Sequence, residues 1–195
     1  MWRHNPQTRL LLSLLPRIGT LQTVRATFCV TNTDLTNFRL RPELDGGSLM
    51  DLGCYCVSAA RLLAGEPRRV SAEQVVGDTG AEVRMTAVLR FDRDILAEFT
   101  SSFFADHESL HVIGADGSLF VPDPWHCLQG VVLLNGEEHR VDVRSRSYLY
   151  EFENVAGAIR GETEPLLGRE DAVGQARAID ALYRSAAGGV VVPTG

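Results

Sequence analysis

A chain of 195 residues with 45% hydrophobic and 23% charged side chains has the size and make-up of one ordinary globular domain, long enough to bury a core. Its net charge of −6 and pI near 5.4 argue against nucleic acid or an anionic membrane as partner, because either needs a basic surface. All 19 basic residues are arginine, so no side-chain amine is available for acid–base or Schiff-base chemistry.

The opening MWRHNPQTRLLLSLLPRIG has an apolar run of only six residues, followed by Pro16 and Arg17 without a small-residue cleavage site. It reads as a leading helix from Pro6 to Leu15, not as an export signal, and no later run is long enough to span a bilayer. TLQTVRATFCVTN then alternates in the manner of a strand, and TNTDLTNFRLRPELDGG is a polar loop. Gly46 and Gly47 lead into an apolar helix over roughly Ser48 to Leu63, stopped by Gly65 and Pro67. Beyond Pro67 the segments RRVSAEQVV, EVRMTAVLRF, ILAEFTSSFF, SLHVIG, SLFVP, GVVLL and EHRVDV are each strand-length. The turn signals GDTG, DRD, ADHE, ADG, PDPWH and NGE separate them, and such short links predict an antiparallel meander. Two helices close the chain, one with Tyr148, Phe152, Val155 and Ile159 at helical spacing, the other with Val173, Ala176, Ile179 and Tyr183. A final GGVVVP can add an edge strand. The prediction is an α+β fold: an open, mostly antiparallel sheet with helices on one face. It is taken as a single domain over 1–195, with a leading helix in 1–20, a sheet over 21–145 that includes the 47–64 helix, and closing helices over 146–188.

Phosphate-binding loops are missing. Gly46-Gly47 follows a loop and lacks the G-x-G-x-x-G spacing, and the glycines of VIGADGSLF suit a hairpin turn. His107 and His111 share an i, i+4 spacing in strand-like sequence, which reads as two exposed strand histidines and not as a metal pair. Cys29, Cys54, Cys56 and Cys127 show no C-x-x-C spacing and read as buried free thiols of a reducing cytosol. Asp51 and Tyr55 are different. At i and i+4 they share a helix face and can address one substrate, although a tyrosine relays protons poorly near neutral pH unless a cation or hydrogen-bond network assists it. The structural alternative is an aspartate favoured by the helix dipole and a tyrosine packed inward.

The string GGSLMDLGCYCVSAARLLAGEP resembles the segment G-G-x-L-x-D-x-G-x-[HY] of the glucose-fructose oxidoreductase/inositol dehydrogenase (Gfo/Idh/MocA) family, in the Y-C variant of its dihydrodiol-dehydrogenase-like members. MWRHNPQTRLLLSLLPRIGTLQTVRATF, GADGSLFVPDPW and the two closing helices are similar to other stretches of the family's C-terminal domain. The resemblance implies that Tyr55 is the acid/base group and that Asp51 orients the substrate, with Arg3, Trp125 and, more weakly, Tyr148 facing it. It further implies NAD or NADP as cofactor of the complete enzyme and a carbohydrate or diol as substrate. A homo-oligomer through the open sheet and a cytoplasmic location complete the expectation. The family's Glu-Lys-Pro motif and its G-x-G-x-x-G loop are both missing here, so the chain reads as the catalytic half starting at an internal Met, inactive alone and binding no cofactor by itself. The alternative is a non-catalytic sugar-binding or assembly protein derived from that family.

Overall fold

The computed structural model describes residues 1–144 and 148–194. Its helices are α1 (Pro6–Leu14), α2 (Cys54–Ala64), α3 (Tyr148–Ile159) and α4 (Arg169–Gly188). Its strands are β1 (Leu21–Cys29), β2 (Arg69–Val76), β3 (Glu82–Arg90), β4 (Leu96–Ser102), β5 (His107–Gly114), β6 (Ser118–Val121), β7 (Val131–Leu134), β8 (Glu137–Arg140) and β9 (Val192–Pro193). The architecture is α+β with mostly antiparallel pairing, and the residues gather into two compact units.

The first unit comprises Met1–Leu21 and Ser109–Ala172. Its strands run β5-β6-β7-β8, each antiparallel to the next, and the GADG stretch closes the β5–β6 hairpin with Gly114 N–H donating to the Gly117 carbonyl at 2.9 Å. Helix α1 begins where the side chain of Asn5 accepts a hydrogen bond from the Gln7 N–H and Pro6 supplies a preset φ at the first position. Buried Gln7 then satisfies loop backbone on both sides, donating to the Asp123 carbonyl at 3.0 Å and accepting from the Val131 N–H at 3.1 Å. Helix α3 buries Tyr150 and Gly157, and the Tyr150 hydroxyl accepts from the Arg144 N–H at 2.9 Å. The spaced side chains Tyr148, Phe152, Val155 and Ile159 lie on its exposed side.

The second unit comprises Gln22–Glu108 and the chain from Val173 on, with strand order β1-β4-β3-β2-β9. Strand β4 runs parallel to β1, with Thr23 opposite Leu96 and Cys29 opposite Ser102, while β3–β4, β2–β3 and β2–β9 are antiparallel. Alternation sets the core face: Val83, Met85, Ala87 and Leu89 of β3 and Ala97, Phe99 and Ser101 of β4 point inward. The opposite face carries an Arg25–Glu98 ion pair and a Thr86–Thr100 hydroxyl contact beside exposed Val88 and Leu96. Residues 48–64 lie on the inward face. Gly53 is pressed so close that a Cβ there would stand 3.0 Å from Ser101 Oγ of β4 and 2.9 Å from Leu49 Cδ1.

Candidate active site

The helix that carries the aspartate and tyrosine does not start as an α-helix. Leu49–Gly53 is a π-helical turn, and α-geometry begins only at Cys54. Such turns are rare and often mark functional positions. Its free amide end is closed by a buried carboxylate: Glu82 of β3 accepts from Ser48 Oγ at 2.6 Å and from the Leu49 N–H at 2.8 Å. Ser48 Oγ also lies 3.0 Å from Ser101 Oγ. Burial pushes the Glu82 carboxyl above the usual carboxylate range, against the opposing pull of the hydrogen bonds from Ser48 and Leu49. Tyr183 of α4, beside it, is pushed up to about 12, first by burial and then by the Glu82 charge.

Asp51 sits within the π turn, partly exposed, and its carboxylate holds a partner that the sequence reading missed. Arg39 Nε lies 2.7 Å from Asp51 Oδ1, with the guanidinium 4.6 Å over the Phe38 ring. Arg39 arrives there through two short 3-10 turns, Phe38–Leu40 and Pro42–Leu44. Asn37 caps the first by accepting from the Arg39 N–H at 3.0 Å. The second ends in left-handed Asp45, and the chain then folds back so tightly that a Cβ on Gly46 would stand 2.6 Å from the Arg39 carbonyl oxygen. The first glycine of the GG pair therefore serves the loop that presents Arg39, not a phosphate. A basic residue shortly before a GG pair is the only sequence signal that could have found it.

Tyr55 lies in the first turn of α2, half-buried, with its ring edge-on to Phe28 of β1 at a centroid distance of 5.3 Å. Cys54, between Asp51 and Tyr55, points its Sγ at the Asp51 carbonyl from 3.8 Å. Burial, then the Asp51 charge, pushes this thiol up to about 11, and burial likewise raises Cys56 and Cys29. All four cysteines are free thiols, three buried and Cys54 half-buried.

The remaining sequence-predicted residues belong to the first unit. Arg3 is largely buried and donates from Nη1 to Asp171 Oδ1 at 2.9 Å. Trp125 is fully buried and packs edge-to-face on Trp2, the sequence neighbour of Arg3, at 5.4 Å. Tyr148 is exposed at the start of α3, its ring stacked near Phe152 at 6.2 Å.

The start of the helix that carries the candidate pair has no free amide end for a nucleotide's diphosphate. The helix start that could have bound it is occupied by the Glu82 carboxylate. The pocket of about 500 Å³ alongside is lined by Asp45, Glu82 and Tyr183 with no arginine or histidine, and neither Asp51 nor Tyr55 lines it. What the arrangement can do is present a braced carboxylate and a phenol to a neutral, hydroxyl-bearing molecule. Among the described residues no group of His, Cys, Asp and Glu could hold a metal ion, and no helix is long and apolar enough to cross a membrane.

Comparison with known proteins identifies the fold. Residues 16–120 match the family model described as the GFO/IDH/MocA C-terminal domain. The chain is 35% identical to a D-xylose 1-dehydrogenase (NADP(+)) of Haloferax volcanii over 98% of its own length and 62% of that protein. It is 30% identical to the trans-1,2-dihydrobenzene-1,2-diol dehydrogenase of Xenopus tropicalis over 72% of this chain and 43% of that one. Among solved structures, the aldose-aldose oxidoreductase of Caulobacter crescentus, complexed with glycerol, superposes with a TM-score of 0.85 at 26% identity, covering 98% of this chain and 62% of that one. The chain thus spans less than two thirds of these relatives. With its GG–Asp51–Tyr55 helix seated on the sheet, it belongs to the Gfo/Idh/MocA family, as that family's C-terminal domain.

Proposed function

We propose that this chain is the substrate- and proton-handling half of an NAD(P)-dependent oxidoreductase acting on a CH–OH group of a sugar, polyol or diol. The observation that carries the reading is the Asp51–Tyr55 helix start, with its carboxylate gripped by Arg39. The names of the relatives, a xylose dehydrogenase using NADP(+) and a diol dehydrogenase, support the substrate class. Nicotinamide supplies the hydride chemistry in such enzymes. The hydroxyl proton is the part this chain handles: it moves to or from Tyr55 Oη, while Asp51 accepts a hydrogen bond from the substrate and so fixes its pose. Arg39 acts through Asp51 as a positioning residue, holding one carboxylate oxygen and leaving the other to the substrate. For the first unit we propose that Arg3 and Tyr148 contact the substrate and that Trp125 supports Arg3 through Trp2.

In this reading residues 1–195 work as one catalytic and oligomerisation domain in the cytoplasm, pairing with a second copy through the open sheet face and using neither nucleic acid nor a membrane as partner. NAD or NADP is held by a separate nucleotide-binding domain. Titrating the isolated chain with NADPH, followed by nicotinamide fluorescence, tests this division of labour. No saturable binding at micromolar concentration is expected, and micromolar affinity would overturn it.

A further inference from the structure

Helix α4 reaches the turn between Asp51 and Tyr55 with a side chain that the proposed chemistry leaves unused. Gln175 Nε2 donates to the Cys54 carbonyl at 2.8 Å. The other end of the same amide is anchored, because Gln175 Oε1 accepts from Arg61 Nη1 at 3.0 Å. Arg61 lies two turns further along α2, is buried, and is gripped by both carboxylate oxygens of Glu66, from Nε at 3.0 Å and from Nη2 at 2.6 Å. An arginine only donates and a backbone carbonyl only accepts, so one orientation of the amide serves both partners. The fit is close: a Cβ on Gly174, the residue before Gln175, would run into Arg61 Nη2 and stand 2.8 Å from Glu66 Oε1. That explains a glycine in the interior of a helix, where the residue is otherwise disfavoured.

We infer that Gln175 is a positioning residue for Tyr55; its consequence for turnover rests on the proposed function above. Three side chains hold the stretch that carries the candidate pair: Glu82 at Leu49, Arg39 at Asp51 and Gln175 at Cys54. Glu82 closes the start of the π turn, and Arg39 holds one oxygen of the Asp51 carboxylate. Gln175 acts on a different group. The Cys54 carbonyl and the Tyr55 nitrogen belong to one planar peptide unit, so a bond that fixes this carbonyl fixes the plane from which the Tyr55 side chain departs. A carbonyl oxygen has two lone pairs, so it can take this donor beside its helical partner. Proton transfer at Tyr55 Oη depends on the placement of that oxygen against the substrate hydroxyl, and a small misplacement lowers the rate steeply.

Two variants separate positioning from packing. Gln175→Met keeps the length of the side chain and loses both hydrogen bonds, whereas Gln175→Glu keeps an acceptor for Arg61 and loses the donor to Cys54. In the isolated chain, amide hydrogen exchange over Asp51–Ser58 is expected to quicken in both variants, with the urea midpoint of Gln175→Glu at the parent value. Exchange at the parent rate in either variant overturns the inference, whatever reaction the site performs. The second arm uses a fusion that places the residues of the Haloferax volcanii relative that this chain does not match ahead of Met1. There kcat on a sugar or diol is expected to fall by about 10–100-fold in both variants, with NADPH affinity unchanged. A Gln175→Glu fusion with the parent kcat overturns the inference and leaves Gln175 a packing partner of Arg61. A parent fusion that binds NADPH and turns over no sugar or diol, while exchange quickens in both variants, leaves the hold on the Tyr55 peptide standing and sinks the oxidoreductase reading.

Discussion

Replacing Glu82 with alanine removes the acceptor that closes the start of the helix bearing Asp51 and Tyr55. The side chain of Glu82 takes the Leu49 N–H at 2.8 Å and the Ser48 hydroxyl at 2.6 Å, both in the buried interior. Each buried donor left without a partner costs about 1–3 kcal/mol, but Ser48 retains Ser101 at 3.0 Å, so the stranded Leu49 amide dominates. Removing a buried carboxylate also returns its desolvation penalty. Together these give a net loss of about 1–2 kcal/mol, or roughly 2–8 °C in melting temperature for a chain of this size. Glu82→Gln keeps one acceptor oxygen and costs about 1 kcal/mol. The two variants also separate by pH. Because burial raises the folded carboxyl's pKa, the folded state holds the proton more tightly than the unfolded chain, and this contribution is full at low pH and lost as pH rises through the folded value. The wild-type advantage over Glu82→Gln therefore shrinks as pH rises above about 4, the ordinary glutamate value. Thermal melts by circular dichroism across that rise in pH give the answer. A Glu82→Ala protein that melts within a degree of wild type, or a wild-type advantage that grows with pH, refutes the assignment of Glu82 as the helix cap.

Three further outcomes follow from the same geometry. Arg39→Met breaks a partly exposed ion pair, so urea titration shows a loss of no more than about 1 kcal/mol, whereas in a fusion that adds a nucleotide-binding domain ahead of Met1 it raises the substrate KM and leaves NADPH affinity unchanged. Gly53→Ala places a methyl 2.9 Å from Leu49 Cδ1 and 3.0 Å from Ser101 Oγ, which forces the helix off β4. That overpacking lowers stability by about 1–3 kcal/mol in chemical denaturation. With Cys54 pushed up to about 11 and Cys29 and Cys56 raised by burial, iodoacetamide near neutral pH labels these thiols slowly in the native protein and all four cysteines rapidly in urea. Rapid native labelling of Cys54 contradicts its described surroundings.

Local patterns in the sequence carried much of this fold. Period-two alternation placed the strands, and the Gly114–Gly117 turn fell where a D-G hairpin signal put it, because both are decided within a few residues. Pairing across longer distances was less visible. The ADHE link suggests that β4 pairs with the strand after it, yet β4 takes β1 as a parallel neighbour, since a short link limits reach without choosing a partner. The π turn at Leu49–Gly53 was illegible because no propensity encodes it: it accompanies Glu82 at its start and the close approach of Gly53 to β4. Asp51 and Tyr55 stood out in the motif, but Arg39 lies twelve positions upstream of Asp51 and reaches it only once two 3-10 turns and Gly46 have folded the loop. The α3 spacing announced a helix correctly, although periodicity alone does not say whether the apolar side meets this chain or another.

Tyr55 is the proposed proton-moving group. In a fusion that places the residues of the Haloferax volcanii relative that this chain does not match ahead of Met1, Tyr55→Phe removes only the phenolic oxygen and keeps the ring against Phe28. Turnover of a sugar or diol substrate is expected to fall by about 10²–10⁴-fold, with NADPH affinity and melting temperature unchanged. A Tyr55→Phe enzyme that turns over at the parent rate would contradict the claim and leave Tyr55 a packing residue.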